Sequence, residues 1–420
     1  MTEHDRADEP VESRRRLSRR GLLGAGLTAA AAGCLRAGSD IQGTATGDGQ
    51  SNATGQSRGT ATPRPGLQSP PTGLTEAWTL ETKYAVLRAS PDRSAVFAGS
   101  RADVSAVEPA DGTVRWSLET ERVRTRPTVT DETVYVAGSE GTLYALARDD
   151  GSVRWTFEGD TGLTTIPIAA PDRDRIVVGA GKSDGVQVGS VGDSEFDPTY
   201  VYGLDTDGNR VWTVETEDGN PVTGTAVHDD VVWVRTTNRI DTYDVDDGTE
   251  RDASVGVHDV QWDSLNPMQS TYYSNRVAAD DEGVHLLTQD YVASVSHDGS
   301  HRWTFEPFDQ SLRFQHRPGT VYCSAADNAV YAVDTADGTQ QWRVQLDGWS
   351  TAVLLADGYL WSSDQTGTVT AIDAASGEVA FSETVGESIS DGVTADVAVA
   401  GRWLVYSSPN GITGFEIRTA

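Results

Sequence analysis

The stretch "GAGKSDG", from Gly179 to Gly185, overlays two reactive patterns. Gly181, Ser183 and Gly185 have the spacing of a nucleophile elbow, which presents a serine hydroxyl on a strained strand-to-helix turn. Gly179 to Ser183 evokes a phosphate loop, whose main-chain N–H groups cradle a nucleotide. Both devices need a helix straight after the motif, yet "VQVGSVGDSEFDP" from Val186 reads as strand and loop. The phosphate loop also needs glycine where Ile176 stands. Ser183 is therefore read as part of an insertion, not as a nucleophile.

The metal-ligand spacings in the chain are equally indecisive. His297 and His301 are four apart, a ligand spacing on a helix, but Asp298 and Gly299 between them make a hairpin turn. The acidic stretches "DTDGN" from Asp205 and "DVDDG" from Asp244 offer carboxylates for calcium. Neither has alternating ligands closed by a glutamate, and turn chemistry accounts for both. No catalytic residue, metal ligand or cofactor is assigned.

Two groups remain as recognition candidates. Arg124 and Arg126 precede a β-rich run, as Arg313 and Arg317 do later. They form either a cationic mouth for a carboxylated ligand or ordinary pairs with the abundant Asp and Glu. The segment from His258 to Asn275 concentrates Trp262, Met268, Tyr272 and Tyr273, residue types enriched at binding hot spots. It either meets a partner protein or folds back on its own repeat.

The N-terminus addresses localisation. Arg19 and Arg20 precede the apolar run "GLLGAGLTAAAAGC", which is shorter than the roughly 20 residues a bilayer span needs and fits an export signal. The paired arginines resemble a twin-arginine signal, which implies export of a folded protein. Small residues before Cys34 resemble a lipobox, in which that cysteine is cleaved and lipidated; the plainer reading is an ordinary cleavage site. Stable anchoring to the outer face of the cell membrane takes two acyl chains on Cys34. Residues 1–33 are read as signal and residues 34–75, rich in Gly, Ser, Thr and Pro, as a disordered tether. The sequon at Asn52 falls in that tether.

Acidic residues number 63 against 33 basic ones, a formal charge of -30, and Lys83 and Lys182 are the only lysines. Such a field repels phosphate backbones and excludes nucleic acid as a partner. A carboxylate-rich, lysine-poor surface suits a halophilic setting, where salt screens its self-repulsion; a melting temperature indifferent to salt would contradict this. Cys323, the other cysteine, lies in "VYCSA", where strand alternation makes it a core residue. With Cys34 taken up by lipidation, one thiol is left and no internal disulfide framework is available.

Residues 76–420 must supply the folded part. Gly112, Gly151, Gly208, Gly248, Gly299, Gly338 and Gly377 each stand four residues before Trp116, Trp155, Trp212, Asp252, Trp303, Trp342 and Phe381. Most steps are 39 or 40 residues, with insertions in the third and fifth units. A period near 40 with four strand signals is that of a β-propeller blade. Asp-Gly makes the hairpin between the outer two strands, and the aromatic docks one blade on the next. Trp78, in "AWTLET", repeats an outer strand without its hairpin partner, and the C-terminal "GITGFEIRTA" ends as a third strand. Pairing the two ends closes an eighth blade and removes exposed edges.

The phrases "LYALARDDGSVRW" at Leu143, "VYGLDTDGNRVW" at Val201 and "VYAVDTADGTQQW" at Val330 resemble the repeat of pyrroloquinoline-quinone-like (PQQ-like) β-propellers. The resemblance covers most of residues 76–420 and implies an all-β, eight-bladed fold. Asp252 and Phe381 depart from the repeat, and looser packing is expected there. One class of this superfamily holds a quinone and calcium and acts as a dehydrogenase, often with adjacent cysteines. The other is non-catalytic and includes the lipid-anchored scaffold of the outer-membrane β-barrel assembly machinery. The chain has no adjacent cysteines and no matched calcium set, so it resembles the second class. The expectation is an exported, lipid-anchored, monomeric scaffold binding unidentified proteins, with no cofactor. The alternatives are a propeller for a small carboxylate or quinone and, behind it, a dehydrogenase.

Overall fold

The computed structural model describes residues 66–82, 85–181, 198–216, 222–236, 239–251, 277–288, 291–307, 311–389 and 395–420. Short runs rich in Val, Ile, Tyr and Trp form strands because β-branched and aromatic side chains fit a pleated, half-buried surface. They make eight antiparallel sheets, seven of four strands and one of three among the described residues. Each sheet is one blade of an eight-bladed β-propeller, and the single 3-10 turn Pro171–Arg173 is the one helical element described. Blades 1 to 7 begin with innermost strands starting at Val86, Thr128, Ile168, Gly224, Val277, Ser311 and Ser350.

Blade 8 combines Asp396–Ala400, Trp403–Ser408 and Gly411–Thr419 with the first strand among the described residues, Pro71–Leu80. Leu74 pairs with Ile417 and Trp78 with Gly414, so both chain ends share one sheet. This strand starts before residue 76 and takes in the last residues of the expected tether. The reason is tertiary: the segment pairs with Gly411–Thr419, Leu74 is buried against the ring, and its N–H donates to Glu383 Oε2 at 2.8 Å. In blade 4, the place of the outermost strand falls on Asp252 and its neighbours, outside the described residues.

Second strands are buried on both faces, as in Thr133–Ala137 and Thr320–Ala325, because a neighbouring blade covers each side. Outermost strands face solvent; in Val114–Glu119 only Trp116 is buried. The core follows this geometry as eight apolar clusters among the described residues, each joining two adjacent blades. One unites Leu87 and Val96 of blade 1 with Val405 and Ile412 of blade 8, so packing as well as pairing closes the ring. Cys323 is fully buried in blade 6, and burial pushes its thiol pKa up, which leaves it inert.

Candidate functional site

The outer hairpins turn on glycines with positive φ, such as +70° at Gly151, after a register shift between Ala145 and Leu146. Asp150 Oδ1 fixes the turn by accepting the Ser152 N–H at 2.9 Å. A Cβ on Gly151 would lie 2.5 Å from the Trp116 ring, so close approach and backbone both demand glycine. The same contact joins Trp78 to Gly112, Trp155 to Gly208, Trp212 to Gly248, Trp303 to Gly338 and Trp342 to Gly377. Each indole N–H also donates to a carbonyl of the next blade's turn: 2.9 Å from Trp78 to Pro109 and from Trp116 to Arg148. The distances are 2.8 Å for Trp155 to Thr206, 3.0 Å for Trp212 to Val245, 2.8 Å for Trp303 to Thr335 and 3.2 Å for Trp342 to Ala374. Phe381 faces blade 8, which has two chain ends where the others have a hairpin. It packs edge-on to Trp361 at 5.9 Å, beside Leu67 and Leu74.

The innermost strands and the residues leading into them place a charged group at the seam. Arg126 is buried, and its guanidinium forks onto Asp396 of blade 8, with Nε to Oδ2 at 3.0 Å and Nη2 to Oδ1. Asp396 also accepts the N–H of Leu87 at 2.9 Å and of Val397 at 2.9 Å. Burial opposes the Arg126 charge, but Asp396 outweighs it and raises its pKa. Arg88, on the innermost strand of blade 1, is exposed and has no hydrogen bond or ion pair among the described residues. Surrounding protein, and then the Arg126 charge, lower its pKa even though solvent reaches it. Arg124 is half-buried, Arg313 Nε donates to the Thr351 carbonyl at 2.7 Å, and Arg317 lies over the Tyr322 ring.

Sequence reasoning missed a second cluster. Asp280 ends the innermost strand of blade 5, His285 lies in its second strand, and His316 lies in the innermost strand of blade 6. Their donor atoms converge within 4.8 Å. His297 and His301 do not meet each other: His297 Nε2 contacts the Asp280 carbonyl at 2.9 Å, and His301 Nε2 contacts Thr304 Oγ1 at 2.8 Å. Asp205 takes the Asn209 N–H at 2.7 Å and Asp244 pairs with Arg251, both as turn residues.

Residues 66–192 and 197–355 match the family described as outer membrane protein assembly factor BamB, whose repeats are PQQ-like. The chain belongs to this family. Among solved structures it is similar to BamB from Moraxella catarrhalis, with TM-score 0.56 and 16% identity, covering 83% of this chain and 99% of that one. It is also similar to the computationally designed Ika8 protein, with TM-score 0.60 and 14% identity, covering 84% and 98%. The quinohemoprotein alcohol dehydrogenase ADHIIG from Pseudomonas putida HK5 aligns with TM-score 0.57 and 12% identity, covering 83% of this chain and 76% of that one. These likenesses establish a shared fold. No curated protein matches the chain.

The seam of this BamB-family chain does not fit a calcium ligand for a quinone. Arg126, Leu87 and Val397 together use both lone pairs of each Asp396 oxygen. Arg19, Arg20, Cys34, Ser183, Trp262, Met268, Tyr272 and Tyr273 lie outside the described residues.

Proposed function

We propose that this BamB-family propeller is exported, anchored by lipid at Cys34 to the outer face of the cell membrane, and acts as a non-catalytic protein-binding or scaffolding module. The family match over residues 66–192 and 197–355 carries this reading. The order of Arg19, Arg20, apolar run and Cys34 supports export and anchoring. Val114, Val153, Val211 and Val379, 40–47% exposed on outermost strands, add apolar contact area on the rim. Surface complementarity, not bond chemistry, is then the mechanism; the chain acts as a monomer toward its protein partners, with no nucleic acid involved.

Crosslinking and pull-down from native membranes test it. Wild type should retain protein partners that Trp262→Ala and Tyr272→Ala lose, and Cys34→Ala should release the protein from the membrane. Full membrane retention of Cys34→Ala would remove the anchor, and identical capture by wild type and a denatured control would remove the scaffold.

A second reading rests on Arg88, a cation on the innermost strand without an ion-pair partner among the described residues. It supports a small carboxylate or quinone in the channel. Wild type would then show a thermal shift with such ligands that Arg88→Gln lacks; no shift across a panel of carboxylates and quinones rejects it.

A further inference from the structure

Asp280, His285 and His316 come from three strands of two blades, yet their polar atoms meet at one point. His285 Nε2 lies 3.2 Å from Asp280 Oδ1 and His316 Nε2 lies 2.8 Å from Asp280 Oδ2. The two imidazoles stack at 5.1 Å with 25° between their planes, which aims both at the same carboxylate.

The arrangement is held from several sides. Asp280 Oδ1 accepts the Glu282 and Gly283 N–H groups at 2.9 and 3.2 Å, which fixes the carboxylate. The Trp303 ring stacks on His285 at 5.8 Å. His285 and Asp280 are 0% and 8% exposed, so little water competes there, while the half-buried His316 leaves a way in. The His285 Nδ1 is buried with no hydrogen-bond partner among the described residues.

We propose that Asp280, His285 and His316 bind one divalent transition-metal ion of the zinc class, tying blade 5 to blade 6. Two imidazoles and one carboxylate are borderline donors that suit zinc, cobalt, nickel or copper; magnesium and calcium prefer oxygen alone. Metal–nitrogen and metal–oxygen bonds of about 2.0–2.2 Å put neighbouring donors about 3 Å apart, close to the two spacings measured here. Three protein donors leave the remaining coordination open to water on the His316 side. His297 on the Asp280 carbonyl, and His228 3.3 Å from Asp281 Oδ1, form an outer layer that orients the Asp280 turn. A chain of formal charge -30 also concentrates cations at its surface.

The test titrates untagged, chelator-stripped full chain with cobalt in excess calcium, which occupies the surface carboxylates. The expected result is a visible absorption band that saturates at one equivalent and is displaced by zinc. His316→Ala should weaken binding by about tenfold or more while the chain still unfolds cooperatively. His301→Ala should titrate as wild type. His285→Asn gives a second variant, and if it fails to fold, the partly exposed His316 still decides the matter. No band in wild type, or an unchanged band in His316→Ala, overturns the site; the second outcome would assign the metal to surface carboxylates or to Cys34.

Discussion

Arg126 and Asp396 stand 270 residues apart in the chain and form a buried, two-pronged ion pair. The arginine belongs to blade 2 and the aspartate to blade 8. Blade 1 lies between them and contributes the Leu87 N–H to the same carboxylate. Three consecutive blades therefore meet at one side chain, where the ring is closed by two chain ends.

Asp396→Ala leaves the Arg126 charge buried without a counter-ion and should lower unfolding free energy by about 3–5 kcal/mol. Replacing both residues with apolar ones of similar volume should recover most of that. Denaturant titration measures both; a single variant within about 0.5 kcal/mol of wild type would show that water reaches the site.

Trp116→Phe keeps most of the apolar contact but gives up the bond to the Arg148 carbonyl, at a cost of about 1–3 kcal/mol. Gly151→Ala should cost at least as much, because its φ of +70° is strained for alanine and the new Cβ meets the indole. Combined, the two should fall short of additivity, since they damage the same contact. Strict additivity would mean that the ring and the turn do not touch in solution.

Tyr406 is buried, its hydroxyl has no partner among the described residues, and burial, then Asp364, pushes its pKa up to about 12. Between pH 10 and 12 the unfolded phenol releases a proton that the folded one keeps. Stability therefore falls as pH rises through that window, by on the order of 2 kcal/mol from this group. Tyr406→Phe should lose that part of the alkaline dependence and be about 1 kcal/mol more stable at pH 7. Equal alkaline slopes for variant and wild type would place the phenol in contact with water.

Removing residues 66–80 deletes the strand that pairs with Gly411–Thr419 and uncovers a sheet edge. The shortened chain should associate or aggregate, seen as a raised mass in light scattering. A stable monomer with an unchanged melting temperature would mean that the pairing contributes little to closure.

Much of the ring is legible before any coordinates. The glycine that turns a hairpin and the aromatic four residues later are local requirements, so they recur at the blade period. Complementary ends identify the closing blade because an outer strand without a hairpin and a chain ending on a third strand supply each other's pairing. The start of the first strand is less legible. Pro71 to Thr75 have the composition of the tether, and pairing with Gly411–Thr419 together with burial of Leu74 orders them. His297 and His301 drew attention by spacing, while His285 and His316 lie 31 positions apart with no local pattern to join them.

The sequence by itself determined the repeating hairpin, the number of blades and the way the ring shuts, because each follows from residues within one blade's length or from the two termini. Only the tertiary structure decided that Arg126 finds Asp396 and that two imidazoles converge on Asp280. Those meetings depend on which blades become neighbours and on how their strands register, and no spacing along the chain encodes either.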